Sequence, residues 1–181
     1  MGKLRIEDKT TDRLIISVKY TGLNGRKRIA SAIIDTGAYV TYIGIAYIRA
    51  FGSTVDLGNI KLGQLRPMYG ITDVPLKTRY KSDEKICASF PIKLKNIIFD
   101  DIEVSSPTVR VPVSFCYDSR KKVIKNIKFE REDLFLIGTD ILRNYNYAVN
   151  IDSIPFFMLS NSTASIPLRE NINIPNWDFE D

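Results

Sequence analysis

Leu14 to Tyr20 reads Leu-Ile-Ile-Ser-Val-Lys-Tyr, a run rich in β-branched residues whose apolar positions nearly alternate, and it predicts a strand with one buried face. Asn24-Gly25 follows, two residues that accept positive φ, and a second strand pattern resumes from Arg28 to Ile34. The pair predicts a β-hairpin. This feature constrains the fold most, because its second strand runs straight into Asp35-Thr36-Gly37-Ala38. A lone carboxylate directly after a buried strand is costly to desolvate and needs a compensating reason. Taken by itself, Asp-Thr-Gly is also ordinary turn chemistry.

Beyond the motif, Ile43 to Phe51 has helical spacing and stops at Gly52. Strand patterns return from Val55 through Ile60-Lys61-Leu62 to Met68-Tyr69, then break at Gly70, Asp73 and Pro75. Lys85 to Leu94 and Ile97 to Val104 are each expected to form a strand, parted by Lys95-Asn96. Ser105 to Asp133, with Pro107, Pro112 and many charges, reads as less regular. Leu134 to Gly138 is a short apolar strand closed by glycine, and Thr139 to Asn144 a helical turn or two with Thr139 as N-cap. Tyr147 to Ile151 and Phe156 to Leu159 complete the strands. The sum is an all-β fold with one or two short helices: a single domain over 1–181, core at about 14–159, and a polar tail at 168–181.

The chain has no histidine, which removes Ser-His-Asp and Cys-His nucleophilic systems and His-based zinc sites within one chain. It carries neither Gly-x-Gly-x-x-Gly nor a glycine-rich loop ending in Lys-Ser/Thr, so nucleotide chemistry of the common kinds is not expected. Cys87 and Cys116 lack metal-ligand spacing and are read as reduced thiols. Neither a metal nor a cofactor is expected. The net charge of +5 is spread over strand faces, apart from Arg26-Lys27-Arg28 and Arg120-Lys121-Lys122, so nucleic acid is not expected as a partner. No apolar run approaches the ~20 residues of a membrane span. The N-terminus shows no apolar signal region, and Ile6 stands where a myristoylation signal needs Ser or Thr. The expectation is a cytoplasmic protein with no membrane attachment.

Two separated elements change the weight of Asp35. The motif extends to Asp-Thr-Gly-Ala-x-x-Thr, and far downstream stands Leu136-Ile137-Gly138-Thr139-Asp140-Ile141-Leu142, an apolar strand, a glycine and a short helix. Together these resemble the retropepsins, the single-lobed aspartic proteases of retroviral type, over most of the chain. The resemblance implies a closed acid-protease barrel with one lobe per chain, acting on a protein or peptide substrate. It implies Asp35 as the catalytic carboxylate, Thr36 bonding across a dimer axis, Gly37 permitting close approach, Ala38 lining the cleft floor and Gly138 packing behind the catalytic loop. On local grounds Gly138 is equally a plain strand terminator. Gly70-Ile71-Thr72-Asp73 falls where the family carries its flap, but with a single glycine it reads equally as a structural turn. Segment 105–133 is longer than its counterpart in compact retroviral enzymes and is expected to be an insertion. The terminal strands that interlock retroviral dimers cannot be assigned.

Peptide hydrolysis by this chemistry needs two carboxylates sharing one proton. The chain has one Asp-Thr-Gly and no second Asp-Ser/Thr-Gly, since Asp56 precedes Leu57-Gly58 and Asp118 precedes Ser119-Arg120. A homodimer contributing one Asp35 from each copy is therefore expected. The alternative is a non-catalytic module of the same fold used for dimerisation or peptide binding.

Overall fold

The computed structural model describes residues 2–4, 14–50, 52, 55–68, 84–150 and 156–161. Its strands are β1 Gly2–Leu4, β2 Leu14–Thr21, β3 Lys27–Ile34, β4 Tyr42–Ile43, β5 Arg66–Pro67, β6 Lys85–Lys93, β7 Asn96–Phe99, β8 Ile102–Ser105, β9 Thr108–Asp118, β10 Val123–Phe129, β11 Phe135–Ile137, β12 Tyr145–Asn150 and β13 Phe156–Asn161. Two short helices, α1 Ile45–Arg49 and α2 Thr139–Leu142, complete the set.

The hairpin forms as its sequence dictates. β2 and β3 pair antiparallel from Leu14↔Ile34 to Thr21↔Lys27. Gly25 closes the turn at φ 80°, donating its N–H to the Gly22 carbonyl. Leu14, Ile16, Val18 and Tyr20 alternate inward with Ala30 and Ala32, the period-2 burial of a strand with one wet face. From this hairpin the main sheet extends in the order β5-β6-β9-β4-β11-β3-β2-β7-β8, with β10 added on β9. A separate sheet runs β1-β13-β12, so the two ends of the described chain meet as neighbouring strands. No helix among the described residues is long and apolar enough to cross a membrane.

The core lies under the inward faces of these strands. Three aromatic rings brace the hairpin against α1 and β11: Tyr20, Tyr47 and Phe135 meet at centroid separations of 6.1, 5.4 and 5.4 Å. The Tyr20 hydroxyl donates to the Tyr47 carbonyl at 3.3 Å, and the Tyr47 hydroxyl to the Asp133 carbonyl at 3.1 Å. The buried phenol of Tyr20 and the half-buried one of Tyr47 are thus both satisfied.

Several sequence expectations are corrected. Segment 105–133 is not irregular. β9 and β10 form a hairpin within it, and β9 is an interior strand bonded to β6, β4 and β10. Pro112 is tolerated there for a local reason. Its carbonyl accepts from Glu130 N–H, so its missing donor falls on the same side, beyond the last β10 rung, Phe129↔Val113. The strand expected over Ile97 to Val104 is two strands folded back on each other, with Asp100 in the turn at φ 55°. Ile60 and Leu62 lie not on a strand but in and beside two 3₁₀ turns, Leu57–Asn59 and Leu62–Gln64. The Asp56 carboxylate caps the first by accepting from Gly58 N–H. The N-cap of α2 is Gly138, and Thr139 is its first helical residue. The tail at 168–181 lies outside the described residues.

One ion pair ties three strands. Lys85 of β6 meets Glu130, just past β10, at 2.7 Å, and Ser114 of β9 donates to the same carboxylate at 2.7 Å. The Lys85 hydrogen bond, followed by that of Ser114, holds the Glu130 carboxyl below its ordinary range. A depressed folded pKa contributes stability present above the unfolded value of 4.5 and lost as pH falls through the folded one. The urea midpoint should therefore drop on acidification below that value, and Glu130→Gln should flatten part of the drop; an unchanged slope would remove Glu130 from the acid limb.

Candidate active site

The site is built by threading one strand between two others. β3 leads into a loop over residues 35–41, which returns as β4. β11 enters between them, parallel to β3 through Leu136↔Ile33 and Ile137↔Ile34, and antiparallel to β4 through Phe135↔Ile43 and Leu136↔Tyr42. The loop therefore arches over the end of β11 where the chain turns into α2.

Backbone crowding at that crossing leaves no room for a side chain. A Cβ on Gly138 would lie 2.4 Å from the Val40 carbonyl oxygen and 2.9 Å from that of Ala38. Gly138 is required by close approach and is more than a strand terminator. The loop is then bonded down at several points. Asp35 N–H donates to the Ile137 carbonyl at 3.0 Å, and the N–H and hydroxyl of Thr139 both donate to the Ala38 carbonyl, at 2.8 and 3.1 Å.

Buried Thr41 and half-buried Asp140 form the anchor. Thr41 is fully buried; its N–H and hydroxyl donate to the two Asp140 carboxylate oxygens at 3.0 and 2.7 Å. Its hydroxyl oxygen in turn accepts from Gly138 N–H at 3.1 Å. Burial pushes the Asp140 carboxyl above its ordinary value, against the hydrogen bonds from Thr41 and Ile141, which favour the charged form. Sequence reasoning assigned neither residue a role. Their signals were a threonine closing Asp-Thr-Gly-Ala-x-x-Thr and an acid inside an apolar run.

Asp35 is half-buried at the start of the arch. Its Oδ1 accepts the N–H of Gly37 at 2.8 Å, and a Cβ on Gly37 would come within 3.2 Å of that same oxygen. Thr36 and Gly37 are exposed at the tip; Ala38 is half-buried against a small apolar cluster of Tyr42, Met68 and Leu136. Four of the motif's residues, Asp35, Thr36, Gly37 and Ala38, are thus brought together with Gly138. Gly70, Ile71, Thr72 and Asp73, weighed as a flap, lie outside the described residues. Among the described residues no cluster of acids or thiols has the makings of a metal site. Neither Cys87 nor Cys116 forms a disulfide among the described residues.

Beside the arch, Tyr42 and Arg110 face each other across β4 and β9. Burial pushes the Tyr42 phenol up to about 12, opposed by the Arg110 charge. Arg110, half-buried, donates through Nε to the Ser89 hydroxyl at 2.8 Å and through Nη2 to the Ser89 carbonyl at 2.7 Å.

The Thr41 hydroxyl serves two partners, so Thr41→Val should strand the Gly138 N–H and cost about 1–3 kcal/mol of stability. Thr41→Ser, which keeps the hydroxyl, should recover most of it. Equal losses in urea denaturation of the two variants would show that the methyl group, not the hydroxyl, anchors the loop.

No protein-family model and no curated protein matches the chain. Among solved structures, it is similar to the crystal structure of a retropepsin-like aspartic protease from Rickettsia conorii, with a TM-score of 0.51 and 15% identity. The match covers 87% of this chain and 99% of that one. With this likeness and the threaded strand in view, the chain has an all-β, single-lobed, retropepsin-like fold.

Proposed function

We propose that the protein is an aspartic endopeptidase, active as a homodimer in which each copy supplies Asp35. The observation that carries this reading is the position of Asp35, half-buried on a loop pinned by Thr41, Thr139 and Asp140 and held over the end of β11. So much bonding around one acidic turn is more than a turn needs, and it suits a carboxylate whose placement must be kept within a fraction of an ångström.

Two such carboxylates facing each other share one proton, because like charges a few ångströms apart do not both ionise easily. The ionised member takes a proton from a water molecule as its oxygen attacks the peptide carbonyl. The protonated member gives its proton to the carbonyl oxygen, and a neutral tetrahedral diol forms. On collapse, a proton passes to the amide nitrogen, the C–N bond breaks, and carboxylic acid and amine leave. The Gly37 N–H supports one carboxylate oxygen and leaves the other to the water. Thr36, exposed at the tip of the arch, supports the reading that a second copy meets this loop.

Asp35→Asn should lower cleavage of a peptide library by at least about 10²-fold, with far-UV circular dichroism unchanged. Activity that survives the substitution would end the enzymatic reading. Specific activity of the wild type should also fall on dilution, since two chains complete one site, and the loss should track a dimer-to-monomer shift in sedimentation velocity. Dilution-independent activity from a monomer would exclude the shared dyad.

A further inference from the structure

The sheet face beside Asp35 carries two arginines that no acid among the described residues answers. Register places Ile15, Ile33, Leu136, Tyr42 and Arg110 in one row across five strands, and residues paired across a sheet share a face. Asp35 lies two residues past Ile33, on the same side by strand alternation. Arg66 pairs with Ser89, and Ser89 with Pro112, two residues from Arg110. Arg66, Ser89 and Arg110 therefore occupy this face as well.

Both guanidiniums are held in place by neutral acceptors. Arg110 uses Nε on the Ser89 hydroxyl and Nη2 on the carbonyls of Ser89 and, at 3.3 Å, Gln64. Arg66 uses Nη1 on the carbonyls of Gly63 and Leu65, both at 2.8 Å. Among the described residues neither has a carboxylate partner, and Arg66 is a second cation that works with burial to push the Arg110 guanidinium down. A half-buried guanidinium beside another cation is unfavourable unless an anion arrives to pair with it. Its planar fork suits a carboxylate in two-point contact.

We propose that Arg110 and Arg66 form an acid-recognising subsite of the cleft, and that the preferred substrates are peptides carrying Asp or Glu a few residues from the cleaved bond. The assignment rests on the peptidase reading and names its substrate class. Three strand spacings separate the Ile33 and Arg110 positions, about 14 Å. An extended peptide advances about 3.3 Å per residue, so the acidic side chain belongs about four residues from the bond, or closer once both side chains reach toward each other.

The test uses matched peptide sets in which Glu replaces Gln at one position at a time, assayed in two ways. In cleavage, the wild-type dimer should prefer one Glu register by about tenfold in kcat/KM, the worth of a charge-assisted hydrogen bond, and the preference should shrink as salt is raised. Arg110→Met should collapse that ratio. Arg66→Gln should reduce it, and serves alone if Arg110→Met fails to fold. In binding, fluorescence anisotropy on the Asp35→Asn protein should show the same Glu preference without turnover. Cleavage with no Glu preference at any register overturns the subsite and leaves the peptidase standing. Glu-dependent binding lost in the arginine variants, with no cleavage by the wild type, supports the subsite and overturns the peptidase.

Discussion

Everything distinctive in this chain depends on the passage of β11 beneath the loop that joins β3 to β4. A strand bonded parallel on one side and antiparallel on the other has no free edge, and it closes a gap that the β3–β4 connection would otherwise leave. The cost is steric. At Gly138 the backbone passes so near the carbonyls of Ala38 and Val40 that any side chain would collide. The gain is positional, because the loop cannot move without breaking bonds to Ile137, Thr139 and Asp140 together. Rigidity of the acidic turn is thus a property of topology more than of local sequence.

That distinction decides what the sequence could disclose. The β2–β3 hairpin was legible because alternation, β-branching and Asn24-Gly25 all act within twenty-odd residues and agree. Asp35, Thr36, Gly37, Ala38 and Gly138 were legible as a paired motif, and the structure brings them together. The interior strand β9 was not. Prolines at 107 and 112 argue locally against a strand, and only the end of the β10 ladder makes Pro112 harmless. The β7–β8 turn at Asp100 was hidden for a related reason: an acid adopting positive φ leaves no Gly or Pro to mark it. Thr41 and Asp140 stand 99 residues apart, and no local pattern pairs them.

Polar burial is handled in two different ways within one small region. The Asp140 carboxylate is half-buried and well supplied, taking N–H or O–H donors from Thr41 and from its own helix at Ile141. Three donors offset much of the desolvation that raises its pKa, and the result is a fixed pin. The Arg110 guanidinium is half-buried and anchored, yet among the described residues its hydrogen bonds reach only neutral oxygens. An ion that is well supplied belongs to the scaffold. One that is positioned but electrically unanswered is better matched to something that comes and goes.

On the proposed peptidase reading, one lobe is not enough. Among the described residues, the hydrogen bonds that hold the 35–41 loop come from β9, β11, α2 or the loop itself, and none reaches Thr36 or Gly37 from another element. Thr36 and Gly37 stand exposed beside a half-buried acid whose Oδ1 is taken by a single N–H. A lone carboxylate in that setting has no proton donor opposite it and cannot be base and acid in one step. A second arch related by twofold symmetry would supply the missing acid and cover both tips with one contact, since an isologous interface presents each patch to its own copy. The scaffold within the chain fixes where Asp35 points, and the chemistry depends on what it points at.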